Sequence, residues 1–216
     1  MQNDFVIVLA WPEGMVATAG SWYDKFASNN GRYRVGHSAI VLINSKTKKS
    51  HYFDFGRYHT PKGYGRVRDK ETDEDVALID AKIERGILRN LKEILLQIST
   101  IKSTHGEGKM YASLIIGVSF EKAFLAAKKT QKKGILPYGP FILRGTNCSR
   151  FVATIIKASN PLWIKKLRLS FPASLSPSPK RNVSISNNNY YIVEKKNCIE
   201  VKKSKLRAYF TTIERQ

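Results

Sequence analysis

The sequence predicts a mixed α+β fold in which an antiparallel sheet packs on helices, with a small basic C-terminal appendage. Two observations carry this prediction. Residues 36–58 combine an apolar β-branched run, the polar turn SKTKK and a second run rich in aromatic residues, which is typical of a β-hairpin. Further along, segments at 88–98 and 120–133 have apolar residues at helical spacing, and a strand-like run at 110–118 separates them.

The other elements follow from the same local patterns. Residues 5–11 are continuously apolar and predict a buried strand that Pro12 ends. The remaining predicted elements are a short helix at 18–28, a long charged loop from Pro61 to about residue 80, a core helix at 147–159, a short basic amphipathic stretch at 162–169, a Pro/Ser-rich linker around 172–179 and strand-like pieces from 182 onward.

We therefore divide the chain into three parts. Residues 1–160 form the main domain. We predict that this domain is catalytic, because it contains the candidate nucleophile Cys148. Residues 161–180 contain the basic amphipathic stretch and the linker, and 181–216 form a basic, strand-rich extension.

The charge balance is strongly positive. The chain has 37 Lys and Arg against 17 Asp and Glu, a formal net charge of +20. Of these, 12 basic and 3 acidic residues fall in 165–216. Such an excess predicts weak binding of nucleic acid or another polyanion through the basic C-terminal region, and it equally fits a solvated basic surface.

The apolar runs are too short to cross a bilayer, since a spanning helix needs about 20 apolar residues. We expect no transmembrane segment. Asp4 stands where a secretory signal has basic residues, and Glu13 follows the first apolar run directly. A cytoplasmic location is the resulting expectation, with export by a route that needs no such signal left open.

The sequence contains no recognisable metal-binding or cofactor-binding motif. Two cysteines, Cys148 and Cys198, and four scattered histidines show no zinc-ligand spacing. The segment GYGRVR at 63–68 lacks the third glycine of a dinucleotide loop and the Gly-Lys-Ser/Thr of a phosphate loop. We expect neither a metal nor a cofactor.

Cys148 is the strongest candidate for chemistry. Asn147 is a good helix N-cap, and apolar residues follow at helical spacing, so the thiol lies in the first turn of a helix. Partial positive charge at a helix N-terminus lowers a thiol pKa and favours the nucleophilic thiolate. The same pattern also fits a small buried cysteine that begins a helix.

His37 and Asp54 are the candidate base and orienting carboxylate. With an even-length turn centred between Lys46 and Thr47, Asp54 lies opposite Ala39 and on the same face as His37, roughly 6–7 Å away. His51 would not share that face. His37 could instead bond a backbone carbonyl, and Asp54 could pair with an arginine such as Arg57 or Arg66.

Three segments resemble a known superfamily. GHSAIVLIN with its hairpin partner, followed much later by NCSRFV, resembles the circularly permuted papain-like enzymes, which include lecithin:retinol acyltransferase-like enzymes and permuted cell-wall amidases. The segments WPEGMVATAGSWYDKF, HYFDFGRYHTPKGYGRVRDKETD and YGPFILRGTNCSRFV together are similar to a bacterial family of unassigned function.

The resemblance implies a permuted papain-like domain in which Cys148 is the nucleophile, His37 the base and Asp54 the orienting residue. In relatives this third residue is often histidine, asparagine or glutamine. It also implies an acyl-enzyme mechanism on a peptide-like amide or, second, a lipid-like ester. Tyr138 looks familial, and we group it with Arg66 and Arg68 as candidate substrate-binding residues. For the two arginines a solvated loop is the alternative.

The competing hypothesis is a non-catalytic papain-like module that binds nucleic acid or another polyanion through its basic surface. The two hypotheses differ in what they require of Cys148. Only the enzyme needs a thiol that is more reactive than that of Cys198.

Overall fold

The structure is a computed structural model that describes residues 3–17, 32–34, 36–140, 142, 144–170 and 177–202. Its centre is an eight-stranded antiparallel sheet. The strands of this sheet are β1 (Asp4–Trp11), β4 (His37–Ile43), β5 (Ser50–Gly56), β6 (Tyr64–Arg68), β9 (Met110–Val118), β10 (Leu136–Pro137), β11 (Tyr190–Glu194) and β12 (Asn197–Val201). Their order across the sheet is β10-β6-β5-β4-β1-β9-β11-β12.

Four short strands form two small ribbons beside this sheet. The first pairs β2 (Met15–Ala17) with β3 (Arg32–Arg34), and the second pairs β7 (Ile83–Glu84) with β8 (Ile87–Leu88). The five described α-helices are α1 (Leu91–Thr100), α2 (Phe120–Gln131), α3 (Cys148–Ala158), α4 (Trp163–Ser170) and α5 (Pro179–Ser186).

The sheet is covered on both faces, which explains the continuous apolar runs in its central strands. One apolar cluster joins alternate residues of β1 and β4 to helices α2, α3 and α5. The other cluster joins the intervening residues of the same strands to helix α1. This layering confirms the predicted α+β class, with an antiparallel sheet packed on helices.

The hairpin of β4 and β5 has the predicted register. Ala39 lies opposite Asp54, so Asp54 and His37 share one face of the sheet. The turn is stabilised by Asn44, whose side-chain oxygen accepts hydrogen bonds from the backbone N–H groups of Lys46 at 2.9 Å and Thr47 at 3.0 Å. The predicted strands and the three predicted core helices within the described residues are likewise present.

Helix α3 begins where the sequence predicts. The Asn147 side chain accepts a hydrogen bond from the backbone N–H of Arg150 at 2.9 Å, which caps the helix. Phe151, Val152 and Ile155 are buried in the cluster that also contains β4 and β5. The packing of this apolar face fixes Cys148 in the first helical turn, directly against the sheet.

The described part of the C-terminal region joins the main sheet. Strand β11 pairs with β9, and Val183 of α5 and Tyr190 of β11 are buried in the main core. Helix α5 was not predicted, because its Pro/Ser-rich start resembles a linker. Ser178 caps it and Pro179 occupies its first turn, where a missing backbone N–H costs nothing.

A further difference concerns the loop predicted from Pro61 to about residue 80. The segment predicted as a long charged loop contains β6, which pairs with β5. The helix predicted at 18–28 lies outside the described residues, and so does AYFTTI at 208–213, the last of the strand-like pieces predicted after residue 182. The boundaries after residues 160 and 180 stay predictions. None of the helices in the described ranges is long and apolar enough to span a membrane.

Gly36 controls how β4 begins, and we predict that Gly36→Ala is strongly destabilising. Gly36 has φ +64°, and a Cβ there would lie 2.4 Å from the Trp11 carbonyl oxygen and 2.8 Å from the Pro12 Cα atom. The left-handed backbone and the clash together should lower the free energy of unfolding by at least about 2 kcal/mol. Denaturant unfolding followed by circular dichroism measures this loss.

Gly134→Ala is the matched control. Gly134 also has a positive φ, +71°, but nothing lies within 4 Å of a Cβ placed there. The free energy of unfolding of Gly134→Ala should therefore fall by only about 1 kcal/mol, the cost of the left-handed backbone alone. Equal losses in the two variants would contradict the clash at Gly36.

Candidate active site

Helix α3 and strand β4 bring a thiol and an imidazole together. Cys148 begins α3 and is 4% exposed, and His37 begins β4 with a side chain that is 12% exposed. The two side chains are close enough to shift each other's pKa. The Nε2 atom of His37 contacts Asp54, so Nδ1 is the ring nitrogen left for the sulfur.

The thiol and the imidazole shift each other's pKa toward the charged forms. Burial opposes a thiolate, but the hydrogen bond and the charge of His37 outweigh it, and the pKa of Cys148 is lowered. Burial also opposes an imidazolium. The hydrogen bonds and negative charges of Asp54 and Cys148 nevertheless raise the pKa of His37 to about 9. The geometry therefore favours a thiolate–imidazolium pair.

Asp54 completes the row of three predicted residues. Its Oδ2 atom lies 3.0 Å from His37 Nε2, and the carboxylate is fully buried. This contact fixes the tautomer of the imidazole and the orientation of its ring. The structure thus bonds His37 to Asp54 and brings Cys148 close enough to His37 for the two side chains to shift each other's pKa.

Three further donors hold the Asp54 carboxylate. The hydroxyl groups of Tyr52 and Tyr58 donate to Oδ2 at 3.0 and 2.9 Å. Arg68 donates to both oxygens, from Nε at 3.1 Å and from a terminal nitrogen at 2.7 Å. Burial would raise the pKa of Asp54, but the hydrogen bonds from His37 and Arg68 hold it well below its usual range. Asp54 is a permanent carboxylate.

The two predicted substrate-binding arginines both have carboxylate partners in the protein. Arg66 pairs with Asp73 through two contacts of 2.7 Å and donates to the Tyr58 carbonyl at 2.9 Å. Arg68 pairs with Asp54 and also lies with its guanidinium carbon 3.3 Å from the Tyr58 ring centroid. The role that the geometry gives Arg68 is to orient Asp54. Substrate binding by either arginine stays a prediction.

Tyr138 lies beside the thiol. Its hydroxyl is 3.9 Å from Cys148 Sγ and also contacts the backbone N–H of Cys148. The ring stacks on Phe55, with centroids 5.7 Å apart, and the Tyr138 backbone N–H donates to the Gly63 carbonyl at 2.8 Å. Burial and the neighbouring Cys148 raise the pKa of Tyr138 well above its usual value, so its hydroxyl is a donor.

Trp11 and His105 border the site and were not found by sequence reasoning. Trp11 is directly opposite His37 in the sheet, and its ring stacks on the imidazole with centroids 5.7 Å apart. His105 stacks on Tyr58 at 5.4 Å. Only the pairing of β1 with β4 could have predicted the Trp11 contact, because the two residues are far apart in the chain.

The other candidate residues lie away from this site. His51 packs between Phe120 and Phe124, on the opposite face of β5 from Asp54. Cys198 lies on β12, beside the α1 cluster, and burial raises the pKa of its thiol. Within the described residues no group of three or more His, Cys, Asp or Glu could hold a metal ion.

Comparisons with known proteins identify relatives. A search of curated proteins gave no match. Among solved structures, the crystal structure of the type VI secretion system effector TseH is similar, with a TM-score of 0.65 and 20% sequence identity over 92% of this chain and 98% of that one. At this identity the likeness shows the fold alone.

The family comparison reaches further. The model of the family described as "type VI secretion system effector TseH-like" matches residues 6–162, which include most of β1, the hairpin, Tyr138 and the whole of α3. The chain therefore belongs to the TseH-like family of type VI secretion system effectors.

Proposed function

We propose that this protein is a cysteine-nucleophile hydrolase or acyltransferase that forms an acyl-enzyme on Cys148. The observation that carries the proposal is the buried row of Cys148, His37 and Asp54, in which the thiol pKa is lowered and the imidazole pKa is raised. A structural cysteine needs no such partner, whereas an activated nucleophile does.

The reaction follows from these positions. His37 takes the Cys148 proton, and the thiolate attacks the substrate carbonyl carbon to form a C–S bond and a tetrahedral oxyanion. The imidazolium then protonates the leaving amine or alcohol, the carbonyl–heteroatom bond breaks, and a thioester remains. Water or an acceptor amine resolves it, with His37 removing the proton and returning it to sulfur.

Two donors converge where the oxyanion would form. The backbone N–H of Cys148 and the hydroxyl of Tyr138 meet beside the sulfur. In the free protein they contact each other, so a carbonyl oxygen that binds there would replace this mutual contact with two hydrogen bonds. Tyr138 is thus proposed as an oxyanion donor rather than a general substrate contact.

The proposed substrate class is a peptide-like amide, with a lipid-like ester second. This preference rests on the resemblance to permuted papain-like amidases. The relative of known structure is named as a type VI secretion system effector, and we propose that this chain is likewise delivered by such a system. That route would replace the cytoplasmic location expected from the sequence and requires no N-terminal signal.

The first prediction from this proposed function concerns thiol reactivity. At about pH 6, Cys148 should be alkylated by iodoacetamide at least about tenfold faster than Cys198, because only Cys148 has a lowered pKa. Mass spectrometry of the digested protein measures both sites in one sample. Equal, slow labelling of the two cysteines would reject an activated nucleophile.

The second prediction concerns the substrate class. The purified protein should release new amino groups from isolated bacterial cell-wall sacculi, and Cys148→Ala should lower that rate by at least about 10³-fold. Liquid chromatography with mass spectrometry identifies the cleaved bond. Cys198→Ala is the matched control and should keep full activity. Activity that survives Cys148→Ala would contradict the proposal.

The third prediction concerns Asp54. Replacing Asp54 with Asn removes the negative charge that raises the pKa of His37, so the imidazolium is weakened and the thiol pKa rises in turn. The midpoint of Cys148 alkylation against pH should move to higher pH by about one unit, which corresponds to about 1.4 kcal/mol. Alkylation rates measured across the pH range test this shift.

Asp73→Asn is the matched control for that experiment. Asp73 also forms a two-contact pair with an arginine, Arg66, but it has no contact with His37. The Cys148 profile should be unchanged in this variant. An equal shift in both variants would assign the effect to general loss of structure.

A further inference from the structure

We propose that helix α4, together with Leu162 just before it, docks on an anionic lipid bilayer surface. This inference is independent of the catalytic proposal, because it concerns a face of the molecule that contributes no residue to the Cys148 site. It starts from a concentration of exposed apolar side chains. Leu162, Trp163, Ile164 and Leu167 are 69%, 74%, 37% and 44% exposed.

The helix turns these side chains away from the protein. On the inner side of α4, Leu169 packs against the main core and the Lys165 ammonium donates to the Ser186 carbonyl. Trp163 and Leu167 are four residues apart, so they lie one above the other on the outer side of the helix. An outward-facing apolar surface results, and α5 and α3 pack against the other side of the helix.

Positive charge flanks the apolar face. Lys166 and Arg168 lie on either side of the line through Trp163 and Leu167 at helical spacing. The helices that pack on α4 do not offset this charge, because the sequence from Cys148 to Ser186, which carries α3, α4 and α5, contains seven Lys and Arg and no Asp or Glu. An anionic surface is attracted to such a region, and a neutral or cationic one is not.

The combination favours a bilayer over a nucleic acid. A phosphate backbone would bind the lysines, but exposed leucine and isoleucine side chains gain nothing from it. A bilayer interface can bind both the apolar side chains and the flanking cations. Apolar side chains enter the boundary between headgroups and acyl chains, tryptophan sits at headgroup level, and the cations meet anionic lipids.

Vesicle sedimentation with the full chain tests this proposal. The protein should bind phosphatidylcholine vesicles that contain phosphatidylglycerol and should bind vesicles of phosphatidylcholine alone at least about tenfold more weakly. The double variant Trp163→Ser with Leu167→Ser should lose at least about tenfold in partition coefficient on the anionic vesicles. Both side chains are exposed, so the variant should keep the circular dichroism spectrum and unfolding midpoint of the original protein.

Two control variants distinguish insertion of the α4 side chains into the bilayer from a general electrostatic attraction of the basic protein. Ile116→Ser removes a side chain that is 67% exposed on β9, on the sheet face opposite to the one that carries α3 and α5, and should leave binding unchanged. Trp163→Phe keeps an apolar ring, so it should still bind, but the blue shift of tryptophan emission on vesicle addition should be lost.

The outcomes decide the proposal without reference to catalysis, and Cys148→Ala should bind vesicles like the original protein. If the double serine variant binds as well as the original protein, the surface attraction is diffuse charge and the α4 proposal is wrong. Absence of binding to anionic vesicles, including a case in which the same face captures an acidic protein, overturns it equally.

Discussion

The rest of the site depends on the buried carboxylate of Asp54. A lone ionised group in this position would be severely destabilising, so its partners are obligatory. Arg68 lies directly opposite Asp54 on β6 and supplies the compensating charge, and the same guanidinium donates to the Ser103 carbonyl at 2.8 Å. One ion pair therefore ties β5, β6 and the loop before β9 together.

This arrangement links folding to chemistry. Arg68 pairs with Asp54 and Asp54 with His37, and the interaction between His37 and Cys148 raises the pKa of the imidazole and lowers that of the thiol. Each member stabilises the charged form of the next, and none is exposed enough for water to replace its partner. Removal of one partner from such a buried pair is costly because it leaves the other charge uncompensated. The hydroxyl groups of Tyr52 and Tyr58 complete the hydrogen bonding of the Asp54 carboxylate, so its orientation toward His37 does not depend on solvent.

Local parts of this site could be predicted from the sequence, and the non-local parts could not. The register that aligns Asp54 with His37 follows from the length of one turn, and the cap of α3 follows from Asn147. Tyr52 shares the face of Asp54 by strand alternation and was within reach of the same reasoning. Arg68, by contrast, lies in a segment whose charge and glycines predict a loop, and only its pairing with β5 makes it a strand. The contact of Trp11 with His37 and the addition of β11 to the main sheet likewise depend on the order of strands in the sheet, which local patterns do not encode.

The positions of α3 and α4 bear on the choice between substrate classes. Helix α3 begins at Cys148 and ends at Ala158, shortly before α4 starts at Trp163. At a rise of 1.5 Å per residue, its axis separates the thiol from the α4 end by roughly 16 Å. An interfacial helix enters only about 5–10 Å into the headgroup boundary. A lipid ester beneath α4 would therefore lie far from the sulfur, whereas a peptide-like polymer beside the membrane could reach it. If α4 holds the protein at a bilayer, this separation favours an amide over a lipid ester as the substrate of the proposed Cys148 nucleophile.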